Sequence, residues 1–297
     1  MKGPVFLTGG TGYLGRHVAR LLSAWGIPVW ALARSDPSPP LPDDVNIVPG
    51  SLEHLPDLEQ VVPHGATVLH LAAQTGVASP TVFQTVNVAG THSLLDAAKR
   101  AEAARVIFVS SIAAGYPDRT GYPYAESKRL GEQLVSHAGI PFDTVRPTIV
   151  LGPGSPALKS MCRLAGFPVG LRFGRGSVRV QPIHVEDAAT SLVNLLSQSP
   201  GQETWDLGGR DVLTFAALLS LLREQLRGSS GPFITLPLAP VRGILRILEW
   251  AVGERLPVTA GQLSVFDHDS VVVNPPPPEN RLASFRSLSE MFGGVNG

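Results

Sequence analysis

The sequence predicts an α/β fold, in which a parallel, doubly wound sheet with helices on both faces is followed by a smaller C-terminal lobe. Short apolar runs rich in β-branched residues alternate with longer amphipathic runs from residue 4 to about 150. A glycine cluster lies between the first apolar run and the first amphipathic run. After residue 150 the alternation becomes irregular, with frequent glycine and proline. The regular part therefore predicts the sheet, and the irregular part predicts the second lobe.

Six apolar runs are the candidate strands of this sheet. They lack a helical period, and their sequences are VFLTG, IPVWALA, VNIVPG, ATVLHLAA, RVIFVSS and FDTVRP. The runs between them repeat apolar residues at a spacing of three and four, in YLGRHVARLLSAW, TVFQTVNVAGTHSLLDAAKRAEA and YAESKRLGEQLVSHAG. Because strands and helices alternate, we expect right-handed crossovers and parallel strands.

The C-terminal part predicts fewer regular elements. Residues 201–228 indicate a strand and then a helix whose N-terminal cap is Thr214. A basic amphipathic helix is expected from about 238 to 254. The prolines of NPPPP exclude a regular helix or a central strand, and LASFRSLSEMF is expected to dock as a last helix.

Composition points to a small-molecule ligand. The 297 residues include 24 Lys and Arg and 24 Asp and Glu, so the chain has no net charge that would favour nucleic acid. Cys162 is the single cysteine, and no cysteine and histidine cluster has metal-ligand spacing, so we expect no bound metal. The N-terminal apolar run is too short for a signal peptide, and no run is long enough for an integral membrane span. These features predict a cytoplasmic location.

The glycine cluster TGGTGYLG predicts a dinucleotide site. Gly9, Gly12 and Gly15 recur every three residues at the first strand-to-helix junction, where a tight turn and a helix N-terminus can hold a pyrophosphate. At the end of the second strand, Arg34 follows an alanine that stands where NAD-binding proteins carry an acid. With Arg16 nearby, this favours NADP, because a cation suits a 2′-phosphate, while NAD stays possible.

Motifs along the first two thirds of the chain resemble the extended short-chain dehydrogenase/reductase family, whose members are NAD-dependent epimerase/dehydratase-like. They are TGGTGYLG, VLHLAA, NVAGTHSLLDAAKRA, VIFVSSIAAGY, YAESK, RPTIVLGPG and IHVEDAA, in that order. The resemblance implies a Rossmann lobe over 1–150, to which segments near 178–210 return. It also implies that 151–297 form mainly the substrate-binding lobe and the C-terminal tail. A homodimer through the helices of THSLLDAAKRA and YAESKRLGEQLV is a further expectation from the family.

The resemblance also implies the site residues. Ser111, Tyr124 and Lys128 match the catalytic group of the family. The residues that match cofactor-binding positions are Gly9, Thr11, Gly12, Tyr13, Leu14, Gly15, Arg16, Arg34, Ser51, Leu52, Leu71, Ala72, Ala73, Asn87, Tyr124, Lys128 and Pro147. Asn87 is expected to support the cofactor-binding strands through backbone hydrogen bonds.

The spacing of Tyr124 and Lys128 has a physical reason of its own. Four residues place both side chains on one helix face, where an ammonium group would favour the phenolate of a tyrosine. Such a phenol can act as acid or base, while Ser111 would hold the substrate oxygen. The alternatives are that Ser110 is the functional serine, or that Tyr124 and Lys128 are an ordinary amphipathic pair. His70, His184 and Asp187 are expected to be structural.

Departures from the family bear on the substrate. Sugar-nucleotide enzymes carry a polar pair where this chain has Ile149 and Val180, and Arg179 is expected to point to the other face of its strand. Arg172 or Arg175 would have to compensate the diphosphate. The segment between the serine and the tyrosine is also shorter than in the family. These losses weaken the sugar-nucleotide reading without excluding it.

The remaining apolar segments favour a carbonyl on a hydrophobic skeleton. MCRLAGFPVGLRF, PFITLPLAPV and ILRILEWAV contain few acids, although for most of these residues a place in the core is the more frequent role. We therefore expect an NAD(P)-dependent reductase or dehydrogenase that transfers hydride between nicotinamide C4 and a carbonyl or alcohol carbon. The alternatives are a sugar-nucleotide epimerase or dehydratase and a non-catalytic NADPH-binding accessory subunit.

Overall fold

The computed structural model describes residues 3–53, 61–174, 176–252, 259–277 and 280–293, with the backbone alone for 250–252. Its main feature is one sheet of seven parallel strands in the order β11-β6-β5-β4-β1-β2-β3. The strands are β1 (Val5–Thr8), β2 (Val29–Ala33), β3 (Val45–Pro49), β4 (Thr67–His70), β5 (Arg105–Val109), β6 (Phe142–Pro147) and β11 (Thr204–Leu207). The strand order reverses between β1 and β4, so the predicted doubly wound α/β class is confirmed.

Helices cover both faces of the sheet. The helices of the sheet-forming part are α1 (Tyr13–Ala24), α2 (Pro80–Phe83), α3 (Gly90–Arg100), α4 (Pro123–Ser136) and α6 (Val185–Leu195). On one face α1 packs against α6, and on the other α3 packs against α4. Each face has its own apolar cluster. The central strands are buried from end to end, which explains why their sequences are continuous apolar runs.

The predicted helix over residues 81–103 forms as three consecutive pieces. The α2 segment passes into a π-helix over Gln84–Ala89, which passes into α3. Ser79 caps α2, because its side chain accepts a hydrogen bond from the backbone N–H of Val82. The π-helix is the part of this run that sequence periodicity does not predict.

The C-terminal part builds a further apolar cluster outside the sheet. It contains α5 (Pro156–Gly166) packed against α7 (Phe215–Arg227), followed by α8 (Leu238–Val252) and α9 (Leu288–Met291). Three strand pairs join it, β7 (Val150–Leu151) with β10 (Ile183–His184), β9 (Arg179–Val180) with β12 (Leu213–Thr214), and β8 (Gly170–Phe173) with β13 (Phe233–Leu236). The predicted cap at Thr214 is confirmed, and the last two residues predicted for α8 lie outside the described residues.

A buried ion pair fastens the sheet to α6. The guanidinium of Arg105 on β5 donates from Nε to Asp143 Oδ2 of β6 at 2.8 Å, and it also donates to the backbone oxygen of Leu195 at 2.6 Å. Asp143 accepts a further hydrogen bond from the backbone N–H of Gly201 at 3.0 Å. Both side chains are almost fully buried, so neither charge has water as an alternative partner.

Candidate active site

The glycine loop is packed too tightly for any side chain at its key positions. A Cβ on Gly9, whose φ is +74°, would lie 2.6 Å from the backbone nitrogen of Ala72, and a Cβ on Gly15 would lie 2.0 Å from the oxygen of Gly9. The N–H of Gly12 donates to that same oxygen at 3.0 Å. The loop therefore packs directly against the segment that follows β4 and ends at the N-terminus of α1. This cradle fits the phosphates of a dinucleotide.

A groove of about 380 Å³ runs along the loop and the C-terminal ends of the central strands. The predicted cofactor residues that line it are Gly9, Thr11, Gly12, Arg34, Ser51, Leu52, Leu71, Ala72 and Ala73. The lining residues that were not predicted are Leu32, Gly50, Glu53, Gln74, Val82 and Val86. Gly50, Glu53, Gln74 and Val86 each neighbour a predicted residue along the chain, whereas Leu32 and Val82 do not.

The two arginines predicted near a 2′-phosphate differ in the structure. Arg34 follows β2, is exposed and lines the groove. Arg16 donates from Nε to the backbone oxygen of Thr11 at 3.0 Å and from Nη1 to the backbone oxygen of Pro39. It ties the glycine loop to the segment after β2 and does not line the groove. Arg34 is therefore the better placed cation of the two.

Several other predicted cofactor residues do not line the groove. Leu14 packs against the apolar cluster beneath the sheet, and Pro147 is buried at the end of β6. Tyr13 packs edge to face with the ring of His17. Gly15 lies directly below the loop, where it allows α1 to approach the backbone closely.

Asn87 is a buried bridge between the two sides of the site. Its Oδ1 accepts from the N–H of Gln74 at 2.7 Å, and its Nδ2 donates to the oxygen of Gln74 at 3.1 Å and to Ser127 Oγ at 2.9 Å. The π-helix turns this amide inward. Asn87 thereby connects the segment after β4 to α4, which is the supporting arrangement expected from the sequence.

The adjacent serines after β5 have different surroundings. Ser110 is buried and donates from Oγ to Glu132 Oε1 at 2.6 Å, and that carboxylate also accepts from Arg146 Nε at 2.7 Å. The hydroxyl of Ser111 instead faces the phenol of Tyr124. Ser111 also accepts from the N–H of Ala113 at 3.2 Å, at the start of a short 3-10 helix. This geometry favours Ser111 over Ser110 as the neighbour of the tyrosine.

The surroundings of Tyr124 favour the neutral form of its phenol. Loss of water around the ring raises its pKa, and the hydrogen bond with Ser111 offsets only part of that rise. The expectation that the ammonium of Lys128 favours the phenolate stays a prediction for the protein with bound nicotinamide. A neutral phenol can donate a proton at neutral pH.

Lys128 is buried one helical turn from Tyr124. Its Nζ donates to the backbone oxygen of Val109 at 2.7 Å and lies 4.5 Å from the ring centre of Phe108. Burial lowers the pKa of Lys128 to about 7, although the negative charge of Glu132 acts in the opposite direction. The lysine is thus poised between its charged and neutral forms near neutral pH.

A second cavity, of about 360 Å³, adjoins the tyrosine and is mostly apolar. It is lined by Gly76, Val77, Ala78, Ser79, Pro80, Phe83, Gly121, Tyr122, Pro123, Tyr124, Glu249, Thr259, Gly261 and Gln262. The chain from Gln74 to Phe83 contributes residues to both this apolar cavity and the groove, so the two adjoin the same segment. Of the segments predicted to form such a cavity, only ILRILEWAV contributes, through Glu249. Met161 and Ala165 of MCRLAGFPVGLRF are buried in the core instead.

Of the arginines considered for a diphosphate, Arg172 and Arg179 line neither cavity. Arg179 is ion-paired with Asp269, with 2.8 Å between Nε and Oδ2, while Val180 packs in the core. The predicted opposite orientation of these two neighbours is confirmed. Arg172 donates to Thr235 Oγ1 at 2.7 Å, and Arg175 lies outside the described residues.

Two histidines near the site have structural hydrogen bonds. His70 is fully buried between Thr8 Oγ1 at 2.6 Å and Thr91 Oγ1 at 2.9 Å, and burial lowers its pKa to about 3, so the ring is neutral. His184 caps α6, because its Nδ1 accepts from the N–H of Glu186 at 3.1 Å. Within the described ranges, no group of histidine, cysteine and acidic side chains is arranged to hold a metal ion.

Asp187 is buried in the first turn of α6, where its carboxylate accepts hydrogen bonds from the backbone N–H and the guanidinium of Arg286. It joins the C-terminal tail to the sheet-forming part. Its position agrees with the expected role near a helix start.

Residues 5–208 match the NAD-dependent epimerase/dehydratase family. The chain belongs to this family. The match covers the whole seven-stranded sheet and therefore agrees with the fold and with the glycine loop. Members of the NAD-dependent epimerase/dehydratase family use a nicotinamide cofactor, as the family's name states.

Two characterised family relatives are reductases. The chain is 37% identical over 194 residues to a ceramide reductase of Caulobacter vibrioides, in a match that covers 65% of this chain and 60% of that protein. It is 30% identical over 240 residues to a 4-hydroxy-2-methyl-3-oxo-4-farnesyl-3,4-dihydroquinoline-1-oxide ketoreductase of Stigmatella aurantiaca, which covers 74% of this chain and 72% of that protein.

Solved structures of the family share the fold. The dTDP-glucose 4,6-dehydratase DesIV of Streptomyces venezuelae, solved with NAD, is 22% identical with a TM-score of 0.67, and the alignment covers 86% of this chain and 92% of that one. At this identity the likeness concerns the fold alone. None of the helices in the described part of the chain has the length and apolarity that a membrane span requires.

Proposed function

We propose that the protein is an NADP-dependent reductase of a ketone or aldehyde on an apolar skeleton. The observation that carries the proposal is the position of Tyr124, which lines the apolar cavity and has Ser111 as the neighbour of its phenol. The cofactor groove adjoins the same chain segment as this cavity, from Gln74 to Phe83. A carbonyl at the tyrosine would therefore lie in the apolar cavity and close to the dinucleotide groove.

Each residue has a chemical task in this proposal. A nicotinamide cofactor held in the groove along Gly9 and Gly12 would supply a hydride to the carbonyl carbon. Tyr124 donates its proton to the carbonyl oxygen, so the ketone leaves as an alcohol and the tyrosine regains a proton from water. Ser111 donates a hydrogen bond to the same oxygen and orients it. Lys128, protonated in part near neutral pH, stabilises the negative charge that Tyr124 acquires.

The apolar lining supports a hydrophobic substrate. The cavity wall contains Val77, Pro80, Phe83 and Tyr122, and Glu249 is its single charged residue among those described. Ceramide and a farnesylated quinoline are named in the activities of the two characterised relatives, and both are largely apolar molecules. The absence of a diphosphate partner at Val180 supports the same conclusion, because an uncompensated diphosphate would be costly to bind.

The preference for NADP is proposed from Arg34. This side chain is exposed on the groove and forms no hydrogen bond or ion pair with the described residues, so it is available to a 2′-phosphate. We expect the purified protein to bind NADPH more tightly than NADH, and Arg34→Ala to remove most of the difference. Arg163→Ala on α5, also exposed but outside both cavities, is the matched control. A wild-type preference for NADH would contradict the assignment.

The reaction is tested with Tyr124→Phe. NADPH consumption is measured with a panel of long-chain and polycyclic ketones, and the cofactor affinity of the variant is measured by nicotinamide fluorescence. We expect turnover to fall by about 100-fold or more while cofactor affinity stays nearly unchanged. Tyr116→Phe, which also loses a phenol hydroxyl but does not line the cavity, is the control.

The alternatives give different results in the same experiments. Turnover like the wild type in Tyr124→Phe would refute the tyrosine as acid. Tightly bound NAD(H) that stays on the protein through purification, with activity on UDP-glucose, would favour an epimerase. Cofactor binding without turnover of any ketone or sugar nucleotide would favour an accessory subunit.

A further inference from the structure

The wall of the apolar cavity contains a polar corner, defined as Glu249, Thr259 and Gln262. Glu249 belongs to α8, and the other two residues lie where the chain enters a 3-10 helix over Gly261–Phe266. Much of the remaining wall is aliphatic or aromatic, as at Val77 and Phe83. A few polar groups in a mostly apolar site orient a ligand and decide which ligand binds.

The carboxylate of Glu249 uses one of its two oxygens inside the protein. Oε1 accepts a hydrogen bond from the backbone N–H of Ala260 at 2.5 Å, while Oε2 forms no hydrogen bond or ion pair with the described residues. An ionised carboxylate accepts hydrogen bonds and donates none, so Oε2 requires a donor. If a purely apolar ligand displaced the water around Oε2, the loss of hydration would weaken binding.

The side-chain amide of Gln262 is oriented by the backbone. Its Oε1 accepts from the N–H of Thr259 at 2.9 Å. Because a backbone N–H only donates, the carbonyl end of the amide points to Thr259, and Nε2 is a donor without a partner among the described residues. The N–H groups that bind the two side chains belong to consecutive residues, so the carboxylate of Glu249 and this amide are held beside each other.

An acceptor beside a donor selects the chemistry of the ligand. A hydroxyl or a secondary amide has both a donor and an acceptor, so a single such group satisfies both residues. A carboxylate or a phosphate would be repelled by Glu249, an ammonium group has no acceptor for Gln262, and a hydrocarbon would leave both unpaired.

We propose that the substrate is an apolar ketone or aldehyde that also carries a hydroxyl or a secondary amide, which donates to Glu249 Oε2 and accepts from Gln262 Nε2. That this group belongs to a substrate rests on the function proposed above, whereas the binding of the group does not.

The test compares ketones that share one skeleton. Decan-3-one is compared with derivatives that carry a hydroxyl or an acetamido group on the first or the last carbon of the chain. We expect the wild type, with NADPH, to prefer a substituted ketone by about tenfold or more in kcat/KM. Most of the difference should lie in KM, because the polar group binds equally before and during hydride transfer.

Two variants test the polar corner. Glu249→Gln keeps an acceptor for Ala260 but puts an amide N–H in place of Oε2, so most of the preference should be lost. Gln262→Glu keeps the acceptor for Thr259 and replaces the donor by a second acceptor, with the same expected result. Glu224→Gln, exposed on α7 and outside both cavities, is the matched control and should keep the preference. A purely structural role of Glu249 would lower kcat/KM for all the ketones alike.

Binding is also measured without turnover, by calorimetry of the same ketones in the presence of oxidised NADP, which has no hydride to transfer. Equal kcat/KM and equal affinity for all the ketones in the wild type would overturn the proposal, as would a preference that survives Glu249→Gln. Preferential binding that Glu249→Gln removes, without reduction of any ketone, would retain the recognition and refute only the proposed reaction.

Discussion

Replacing Lys128 by methionine should stabilise the folded protein while it impairs the proposed reaction. Methionine has nearly the same length and can fill the buried channel that the lysine stem occupies. It cannot bear the charge that the lysine carries at low pH. The structure buries Nζ against the backbone oxygen of Val109 and the ring of Phe108, and burial lowers the pKa of this lysine to about 7.

The magnitude and its pH dependence follow from proton linkage. An exposed lysine in the unfolded chain has a pKa of 10.5, against about 7 in the folded protein. A difference of one in pKa corresponds to about 1.4 kcal/mol, so the charged form costs at most about 5 kcal/mol of folding free energy. The full cost applies below pH 7. It decreases as the pH rises from 7 to 10.5, because over that window the unfolded chain binds the proton that the folded chain has released.

The assay is urea unfolding of the wild type and of Lys128→Met at several pH values between 6 and 9. We expect the variant to be the more stable protein at pH 6. The advantage of the variant should shrink by about 1.4 kcal/mol for each pH unit above 7. Lys159→Met, which removes an exposed lysine from the middle of α5, is the control and should show no such dependence.

Two results would refute the reasoning about Lys128. A stability difference that is the same at pH 6 and pH 9 would mean that the lysine keeps an ordinary pKa in the fold. A variant less stable than the wild type at pH 6 would mean that the contacts of Nζ outweigh its desolvation. In both cases the conclusion that Lys128 is partly neutral near pH 7 would no longer be supported.

Three further substitutions test the packing. Arg105→Met leaves the buried carboxylate of Asp143 without its charge partner. The free energy of unfolding, measured in urea, should therefore fall by about 3–5 kcal/mol. A loss below about 1 kcal/mol would mean that water reaches the carboxylate. Gly131→Ala places a methyl group 2.7 Å from the ring of Phe108, and thermal unfolding should show a loss of about 1–3 kcal/mol. Gly15→Ala places a methyl group 2.0 Å from a backbone oxygen of the glycine loop, so the loop must shift. We expect the variant to lose the binding of NADPH that nicotinamide fluorescence measures in the wild type. Wild-type affinity for NADPH would contradict the close packing of this loop.

The sheet was predictable from the sequence because its signals are local. All six predicted runs contain strands of the seven-stranded sheet, and the glycine loop lies where the first strand meets the first helix. Buried parallel strands need continuous apolar runs, and a close backbone approach needs glycine. Both requirements can be recognised in a few consecutive residues of the sequence.

The apolar cavity was not predictable in the same way. Its wall combines residues near Gly76, Gly121 and Gly261, which are far apart in the sequence. No periodic pattern connects such segments, because the contact between them depends on how the C-terminal part folds over the end of the sheet. The pKa of Tyr124 shows the same limit, since the number of water molecules around a phenol is a property of the assembled site.

The π-helix over Gln84–Ala89 fixes the length of this part of the chain. A π-turn holds one residue more than an α-turn, so deleting one residue there would restore regular α-helical hydrogen bonding. Because the wider turn absorbs the extra residue, the deletion would leave α3 in nearly the same orientation relative to α2, but it would disturb the inward position of Asn87 between Gln74 and Ser127. The extra residue of the π-helix therefore serves the placement of the Asn87 amide, and we expect homologous chains without the π-helix to lack this bridge between Gln74 and Ser127.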